Sequence, residues 1–346
     1  MSENLLAKYA KSFNWAGFFL PSNEYEKSLI IYNYCRTLDD IADNDEDLYF
    51  NFYNNPSREY RGLTPKEILR LYKTYWRTKN DFEPITKNMW KLFEKENISR
   101  KIIEDLFDGL ESDLSKKIKI KTKKDLLIYC YRVAGTVGLM MAKVLQVKDK
   151  RALIGAVDLG IAMQLTNISR DVVEDGKKSR EYIEPNFEEI KKNIYLADQF
   201  YDSSFSSIKK IPFKFRFAIL VARRIYRQIG RKILKKKTME NYKKSGKIYV
   251  TNIGKIIQTI LSIFDLIKLF FIKTEDHLRK EDHLLISEEV NLNERIWLCY
   301  YWRWLRGIII SLWAWFTQKK LNVVEKFLDS KEVQVSTFDL INIPTQ

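Results

Sequence analysis

A chain of 346 residues, 45% hydrophobic and 14% aromatic, is long enough to bury a sizeable core, which excludes a disordered polypeptide. Sixty Lys and Arg against 45 Asp and Glu leave a formal charge of +15, which attracts polyanions such as nucleic acid, anionic lipid or diphosphates without choosing among them. Cys35, Cys130 and Cys299 are far apart in apolar or aromatic surroundings with no CxxC pair, which excludes a paired-cysteine zinc or redox motif and reads as reduced core cysteines.

In chain order, the N-terminus begins Met-Ser-Glu-Asn with no basic region followed by an apolar stretch, so a cytoplasmic protein is expected. Only 12 glycines and 7 prolines occur, and apolar residues recur at helical rather than strand spacing. The pattern predicts an all-α fold with helices over roughly 24–43, 65–79, 84–95, 99–114, 123–146, 150–175, 187–208, 213–237 and 252–273. Breaks fall near Pro56, Pro65, Pro84, Pro185 and Pro212. No repeat or flexible linker divides this region, so residues 1–280 are expected to form one domain and 281–346 an extension.

The first of these helices carries YNYCRTLDDIAD at 32–43, which places Tyr32, Arg36, Asp39 and Asp43 on one polar stripe of an apolar helix. The sixth carries QLTNISRDVVED at 164–175, with Gln164, Asn167, Asp171 and Asp175 on another stripe, after a mostly apolar run from Leu153 to Met163. A helix apolar on nearly every side is buried. Like charges four apart destabilise a helix, and buried carboxylates are costly unless paired or bound to metal. Two such pairs therefore call for a cation, and all-oxygen ligation favours Mg²⁺ or Mn²⁺ with substrate phosphates completing the shell. Arg36, Arg170 and Arg180 lie in or beside the two motifs, as clamps for a diphosphate would. Taken singly, either pair is also an ordinary solvated helix face; together, each with an adjacent Arg, they point to a phosphate ester or diphosphate substrate.

Farther along, Arg223, Arg224, Arg227, Arg231, Lys232, Lys235, Lys236 and Lys237 form a basic run that reads as a solvated helix face. The competing reading is a nucleic-acid-binding protein, but no zinc-finger, helix-turn-helix or RNA-binding aromatic pattern accompanies the run. After a charged stretch from Lys273 to Glu289, which holds His277 and His283, comes IWLCYYWRWLRGIIISLWAWF, with five Trp in 21 residues. Arg303 and Arg306 near its middle disfavour a spanning helix. An interfacial helix at the membrane surface and a helix packed on the core are the two readings.

These motifs resemble the squalene and phytoene synthase family, and the phytoene synthases of bacteria in particular. The resemblance runs from about Ser12 to Ile260 through KSFNWAGFFLP at 11–21, YCRTLDDIAD at 34–43, YCYRVAGTVGLMMAKVLQVKD at 129–149, DLGIAMQLTNISRDVVED at 158–175, SREYI at 179–183 and ARRIYRQIGRKI at 222–233. It implies an isoprenoid synthase helical fold, with the two Asp motifs facing each other across a cavity. It also implies that Asp39, Asp43, Asp171 and Asp175 hold the metal. Ser12, Tyr32, Arg36, Gln164, Asn167 and Arg170 match positions lining the diphosphate and reaction region. Tyr129, Val133 and Gly138 match the cavity wall, and Arg180, Tyr182 and Tyr242 are further matches. Phe13, Tyr32 and Tyr129 offer π faces to carbocations. Gly135 and Gly138 each cost a helix about 1 kcal/mol against Ala, which suggests close approach of a chain or ligand.

The implied reaction joins two geranylgeranyl diphosphates head to head to phytoene through a cyclopropyl diphosphate. The alternative is a squalene or dehydrosqualene synthase acting on farnesyl diphosphate. NADPH is not expected, nor is nucleic acid. Peripheral attachment to the inner face of the membrane is expected, because such hydrocarbon products must pass into lipid.

Overall fold

The computed structural model describes residues 10–43, 62–80, 83–274 and 276–296. Helices dominate: α1 (Lys11–Gly17), α2 (Ser22–Ala42), α3 (Pro65–Thr78), α4 (Pro84–Glu96), α5 (Lys101–Asp113), α6 (Lys123–Cys130), α7 (Thr136–Val144), α8 (Lys150–Lys177), α9 (Phe187–Ser207), α10 (Phe213–Leu234), α11 (Met239–Lys244), α12 (Asn252–Phe271) and α13 (Lys280–Ser287). Two short strands, β1 (Ile118–Lys119) and β2 (Arg180–Glu181), pair in parallel.

Local chemistry sets the helix boundaries. Thr64 and Glu67 form a reciprocal capping box with Pro65 in the first turn of α3, and Glu83 accepts from the Ile85 and Thr86 amides ahead of α4. Asp149, Asn186 and Thr251 cap α8, α9 and α12 through their side-chain oxygens. Lys79 and Asn97 end α3 and α4 in the left-handed conformation.

The expected single helix over 123–146 is interrupted by a π-helical turn at Tyr131–Gly135, a local widening often found beside functional sites. The long α8 runs through the middle of the core, with Val157, Ile161, Ala162, Leu165 and Ile168 all buried. Trp76 stacks on Trp90 at 4.4 Å and meets Phe93 edge-on at 5.0 Å, closing the α3–α4 side of the core.

Backbone proximity, rather than a ligand, accounts for Gly138. A Cβ there would lie 2.2 Å from the Ala156 carbonyl oxygen, and one at Gly160 would lie 2.3 Å from the Ala134 oxygen. The α6–α7 segment and α8 therefore touch main chain to main chain. Gly138→Ala is expected to destabilise the protein by about 2 kcal/mol through forced separation of these helices. Urea unfolding reads this as a lower midpoint at unchanged m-value.

The compact unit extends to Ile296, beyond the boundary expected at residue 280. Residues 276–296 are fastened to it by Arg295, which donates to both carboxylate oxygens of Asp105 at 2.8 Å, by Lys123 to Asp282 at 2.7 Å and by Lys124 to Glu288 at 2.6 Å. Cys130 is buried and Cys35 half-buried, both as free thiols. Cys299 and the Trp-rich segment lie outside the described residues.

Candidate active site

Both aspartate motifs ride on core helices, so their carboxylates are set by rigid elements. Asp39 and Asp43 end α2, and Asp171 and Asp175 lie in the last two turns of α8. The segment after α8 joins them. Arg180 hydrogen-bonds Asp43 through one guanidinium nitrogen, and its other reaches the carbonyls of Ala42 at 3.4 Å and Asp113 at 3.3 Å. Lys178 donates to the second oxygen of Asp43 at 2.8 Å. Backbone pairing of β2 with β1 fixes this segment, with Ile118 N–H donating to Ser179 O at 3.1 Å and Ile120 N–H to Glu181 O at 3.0 Å.

Electrostatics divides the four carboxylates. Burial raises Asp175 to about 7, with the neighbouring charges of Asp171 and Asp43 adding to it against Arg180 and Lys178. Asp39 is also raised, by desolvation and then by Asp43, although its side chain is 52% exposed. Asp43 goes the other way: burial acts to raise it, but Lys178 and Arg180 together hold it below the usual carboxylate range. Asp171 is paired with Arg170, whose Nε donates at 2.8 Å, and Lys247 lies 3.7 Å away. Arg36 bonds Asp40 at 2.5 Å and Asp39 at 3.4 Å.

Behind Arg180 lies a group that the sequence did not single out. Asp113, at the end of α5, accepts from Tyr182 at 2.7 Å and from Tyr129 at 3.0 Å, and these two rings stack at 4.7 Å. Burial raises Asp113 to about 6 against these hydrogen bonds. Tyr226 was also not singled out. It packs on Phe13 at 4.8 Å and lies within electrostatic reach of Tyr32, Arg170 and Asp171.

The structure thus brings together Arg36, Asp39, Asp43, Asp171, Asp175, Arg170, Arg180, Tyr129 and Tyr182, with Tyr32, Tyr226 and Phe13 alongside. Tyr242 is buried and donates to the Ser169 and Arg170 carbonyls at 3.0 and 2.6 Å, so it holds the α8 backbone just ahead of Asp171. Gln164 accepts from Asn167 at 3.3 Å, about two turns below Asp171. Ser12 is half-buried on α1, and Val133 lies in the π-helical turn against Gly109; no described contact joins either to the carboxylates. A cavity of about 240 Å³ opens beside Asp175, Arg180 and Tyr182, with Ile168 and Val172 on its apolar side.

The donor set suits a hard divalent cation. Asn167 Oδ1 is buried with no hydrogen-bond partner among the described residues, on the stripe that carries Asp171 and Asp175. An orphaned carbonyl oxygen, a carboxyl raised by its neighbours and no nitrogen or sulfur ligand together fit Mg²⁺ or Mn²⁺. The first part of the basic run on α10, by contrast, is ion-paired: Arg223 lies 3.3 Å from Asp202, Arg224 pairs with Asp265 at 2.5 Å, and Arg227 with Asp198 at 2.6 Å and with Asp202.

Comparison with known proteins agrees with this geometry. The family model described as squalene/phytoene synthase matches residues 6–185. A phytoene synthase of Pseudescherichia vulneris is 30% identical over 250 residues, covering 66% of this chain and 80% of that protein. A 15-cis-phytoene synthase of Pantoea ananas is 29% identical over 255 residues, with the same two shares. Among solved structures, a dehydrosqualene synthase superposes with a TM-score of 0.61 at 25% identity, covering 77% of this chain and 95% of that one. A squalene synthase of Alicyclobacillus acidocaldarius superposes at 0.55 and 16% identity, over 69% and 92%, a likeness of fold.

Proposed function

The chain belongs to the squalene/phytoene synthase family of prenyltransferase-type enzymes, and from that we propose that it condenses two geranylgeranyl diphosphates head to head to phytoene. The carrying observation is that Arg180 and Lys178 pair with Asp43 of the first motif and also act electrostatically on Asp175 of the second, an arrangement that suits a leaving diphosphate. The choice of the C20 substrate is supported by the phytoene synthases among its relatives.

Asp39, Asp43, Asp171 and Asp175 would hold Mg²⁺ or Mn²⁺, with Asn167 a further oxygen donor. A bound divalent ion supplies Lewis-acid stabilisation of the departing diphosphate. The chain's own part is positioning and charge. Arg36, Arg170, Arg180, Lys178 and Lys247 supply donors to diphosphate oxygens, exchanging some of their present carboxylate partners for substrate. Tyr32, Phe13 and Tyr226 on one side, and Tyr129 and Tyr182 on the other, keep water from cationic carbon and present π faces to it. Attack by the second substrate's double bond on the first allylic cation, with loss of a proton from the first substrate's C1 to the released diphosphate as the ring closes, gives the cyclopropyl diphosphate. A second ionisation, rearrangement and proton loss then give phytoene, with the released diphosphate as proton acceptor.

The test is incubation with Mg²⁺ and either geranylgeranyl or farnesyl diphosphate, with and without NADPH, followed by mass spectrometry of extracted hydrocarbon. A C40 product formed without NADPH is expected. A C30 product would transfer the chain to the second reading, a squalene or dehydrosqualene synthase, which the dehydrosqualene synthase neighbour favours. No metal-dependent product from either donor would overturn both.

Peripheral attachment to the cytoplasmic face of the membrane belongs to the same proposal. Two helical stretches, Lys123–Val144 and Lys150–Lys177, are long and apolar enough to cross a bilayer, but both are mostly buried in the core. Supporting a surface contact instead, α12 leaves Ile253, Ile256, Ile260, Ile263, Phe264 and Phe271 exposed along one helix. The Trp-rich segment, proposed as a further contact, lies outside the described residues. Exchanging Ile256, Ile260 and Phe264 together for Glu is expected to weaken binding to anionic vesicles at least tenfold. Cosedimentation measures it, and unchanged binding would place attachment elsewhere.

A further inference from the structure

The chain has only two histidines, and both converge on one buried carboxylate. Asp158 lies on α8 inside the apolar run and is fully buried. His277, in the turn before α13, places Nε2 3.1 Å from Asp158 Oδ1 and 3.0 Å from Oδ2. His283, on α13, places Nε2 2.7 Å from Oδ1. The two rings meet edge-on with centroids 4.2 Å apart. Their side chains are 7% and 11% exposed, against 0% for that of Asp158.

We propose that Asp158, His277 and His283 form a site for a divalent transition-metal ion of the zinc class, which fastens residues 276–296 to α8. One ring nitrogen from each histidine and a carboxylate oxygen of Asp158 lie within 4.8 Å of one another. A four-coordinate zinc ion with bonds of about 2.0 Å holds neighbouring ligand atoms about 3.3 Å apart. Reaching that spacing means opening the distance from Oδ1 by about 0.2 Å at His277 and about 0.6 Å at His283. Water would complete the coordination.

The other carboxylate oxygen is already supported. Ser203 Oγ donates to Oδ2 at 2.8 Å, and the Arg151 guanidinium, itself donating to the Ser203 carbonyl at 2.7 Å, lies 3.9 Å from Oδ2. This is the outer support that orients a ligating carboxylate and leaves Oδ1 for the ion. Arg151 also places positive charge near the site, which the Asp158 carboxylate faces. Carboxylate and neutral imidazole are the ligating forms, so zinc displaces any proton held between Asp158 and the two rings.

This site is distinct from the aspartate-rich one. Asp158 and Asp171 are thirteen residues apart on one helix, about 20 Å along its axis. The ligand chemistry differs too, since imidazole suits zinc, copper, nickel and iron, whereas carboxylate alone suits Mg²⁺. Three ligands from two separate parts of the chain would tie the C-terminal segment to the core helix.

The test uses the full chain without a histidine tag, labelled with ¹⁵N-histidine, in millimolar Mg²⁺ so that the carboxylate-only sites are filled. Because there are only two imidazoles, every shifted side-chain signal belongs to this cluster. Zinc is expected to move both together, with saturation at one equivalent. It should also raise the thermal midpoint by about 4 °C at a hundredfold excess over Kd. His283→Gln, which keeps a polar side chain of similar reach, is expected to lose the bound equivalent. Imidazole signals unmoved through several equivalents would overturn the proposal and leave a hydrogen-bonded cluster only, as would equal zinc retention by His283→Gln. Should that variant not fold, the wild-type titration decides alone. None of these readouts depends on the condensation reaction, so they stand or fall apart from it.

Discussion

Asp171→Asn is expected to lower turnover by about a thousandfold or more, with circular dichroism showing the same helical content. The exchange is isosteric and removes one negative charge from the end of α8, where Arg170 and Lys247 now face the carboxylate. An amide presents one oxygen where the carboxylate presents two, so it is a poorer partner for a divalent ion and for the Arg170 fork. Asp39→Asn is expected to act alike from the opposite helix. Asp39 is the more telling position, because its side chain is half exposed and its only described ion pair, to Arg36, is long at 3.4 Å. Little folding energy rides on it, so a lost activity there reports on chemistry. An Asp39→Asn/Asp171→Asn double variant that still turned over would defeat the metal assignment.

At Asp175 the effects on activity and stability have opposite signs. Its carboxyl is raised from 3.8 to about 7 in the folded protein, by burial first and the Asp171 charge next. Between the unfolded value and about 7, the folded state binds more protons than the unfolded one, so stability falls as pH rises through this window. Below it both states are protonated and the penalty vanishes; above it the penalty is complete. Asp175→Asn removes the ionisation. In chelator, the variant should therefore be more stable than the parent at pH 8, by about 1–2 kcal/mol after allowance for solvent screening. That advantage should fade toward pH 4. Added Mg²⁺ should reverse the order at pH 8, because only the parent offers the ion a charged ligand. Thermal denaturation at the two pH values, with and without Mg²⁺, measures all four states. A variant less stable than the parent at pH 8 in chelator would contradict the strained carboxylate.

Most of the architecture was legible because its signals are local. Pro65 and Pro84 mark the starts of α3 and α4, Asp149 caps α8, and the 3.6-residue apolar period carries through each long helix. The elements that escaped are short. α1, α11 and α13 have few residues in which to show a period, and α1 is held by distant contacts such as Trp15 Nε1 to Thr259 at 3.0 Å. The π-helical turn sits inside a run whose periodicity reads as one uninterrupted helix.

The site divides in the same way. Asp39, Asp43, Asp171 and Asp175 announced themselves by spacing. Asp113 and Tyr226 have no such pattern, since their partners are far away in sequence. His277 and His283 lie in a charged stretch of the sequence where nothing local marks them, yet the structure buries both side chains. Asp158 stands alone within Leu153–Met163, and a carboxylate inside a buried helix requires a partner from elsewhere. His277 and His283 are that partner.

The β1–β2 pairing gives the Arg180 arm an unequal mechanical footing. Main-chain hydrogen bonds at Ile118 and Ile120 pin the segment on one side, and charge holds it on the other, through Lys178 and Arg180 to Asp43. Two backbone bonds are a light tether beside the buried ladder of α8, so this arm belongs to the low-energy end of the molecule's local opening motions. When a diphosphate competes for Arg180, the electrostatic half of the fastening is exchanged while the peptide half stays. The Ile118 and Ile120 amides should therefore keep their protection from exchange whether or not Arg180 holds a diphosphate, while the side chains at Asp43 change partners.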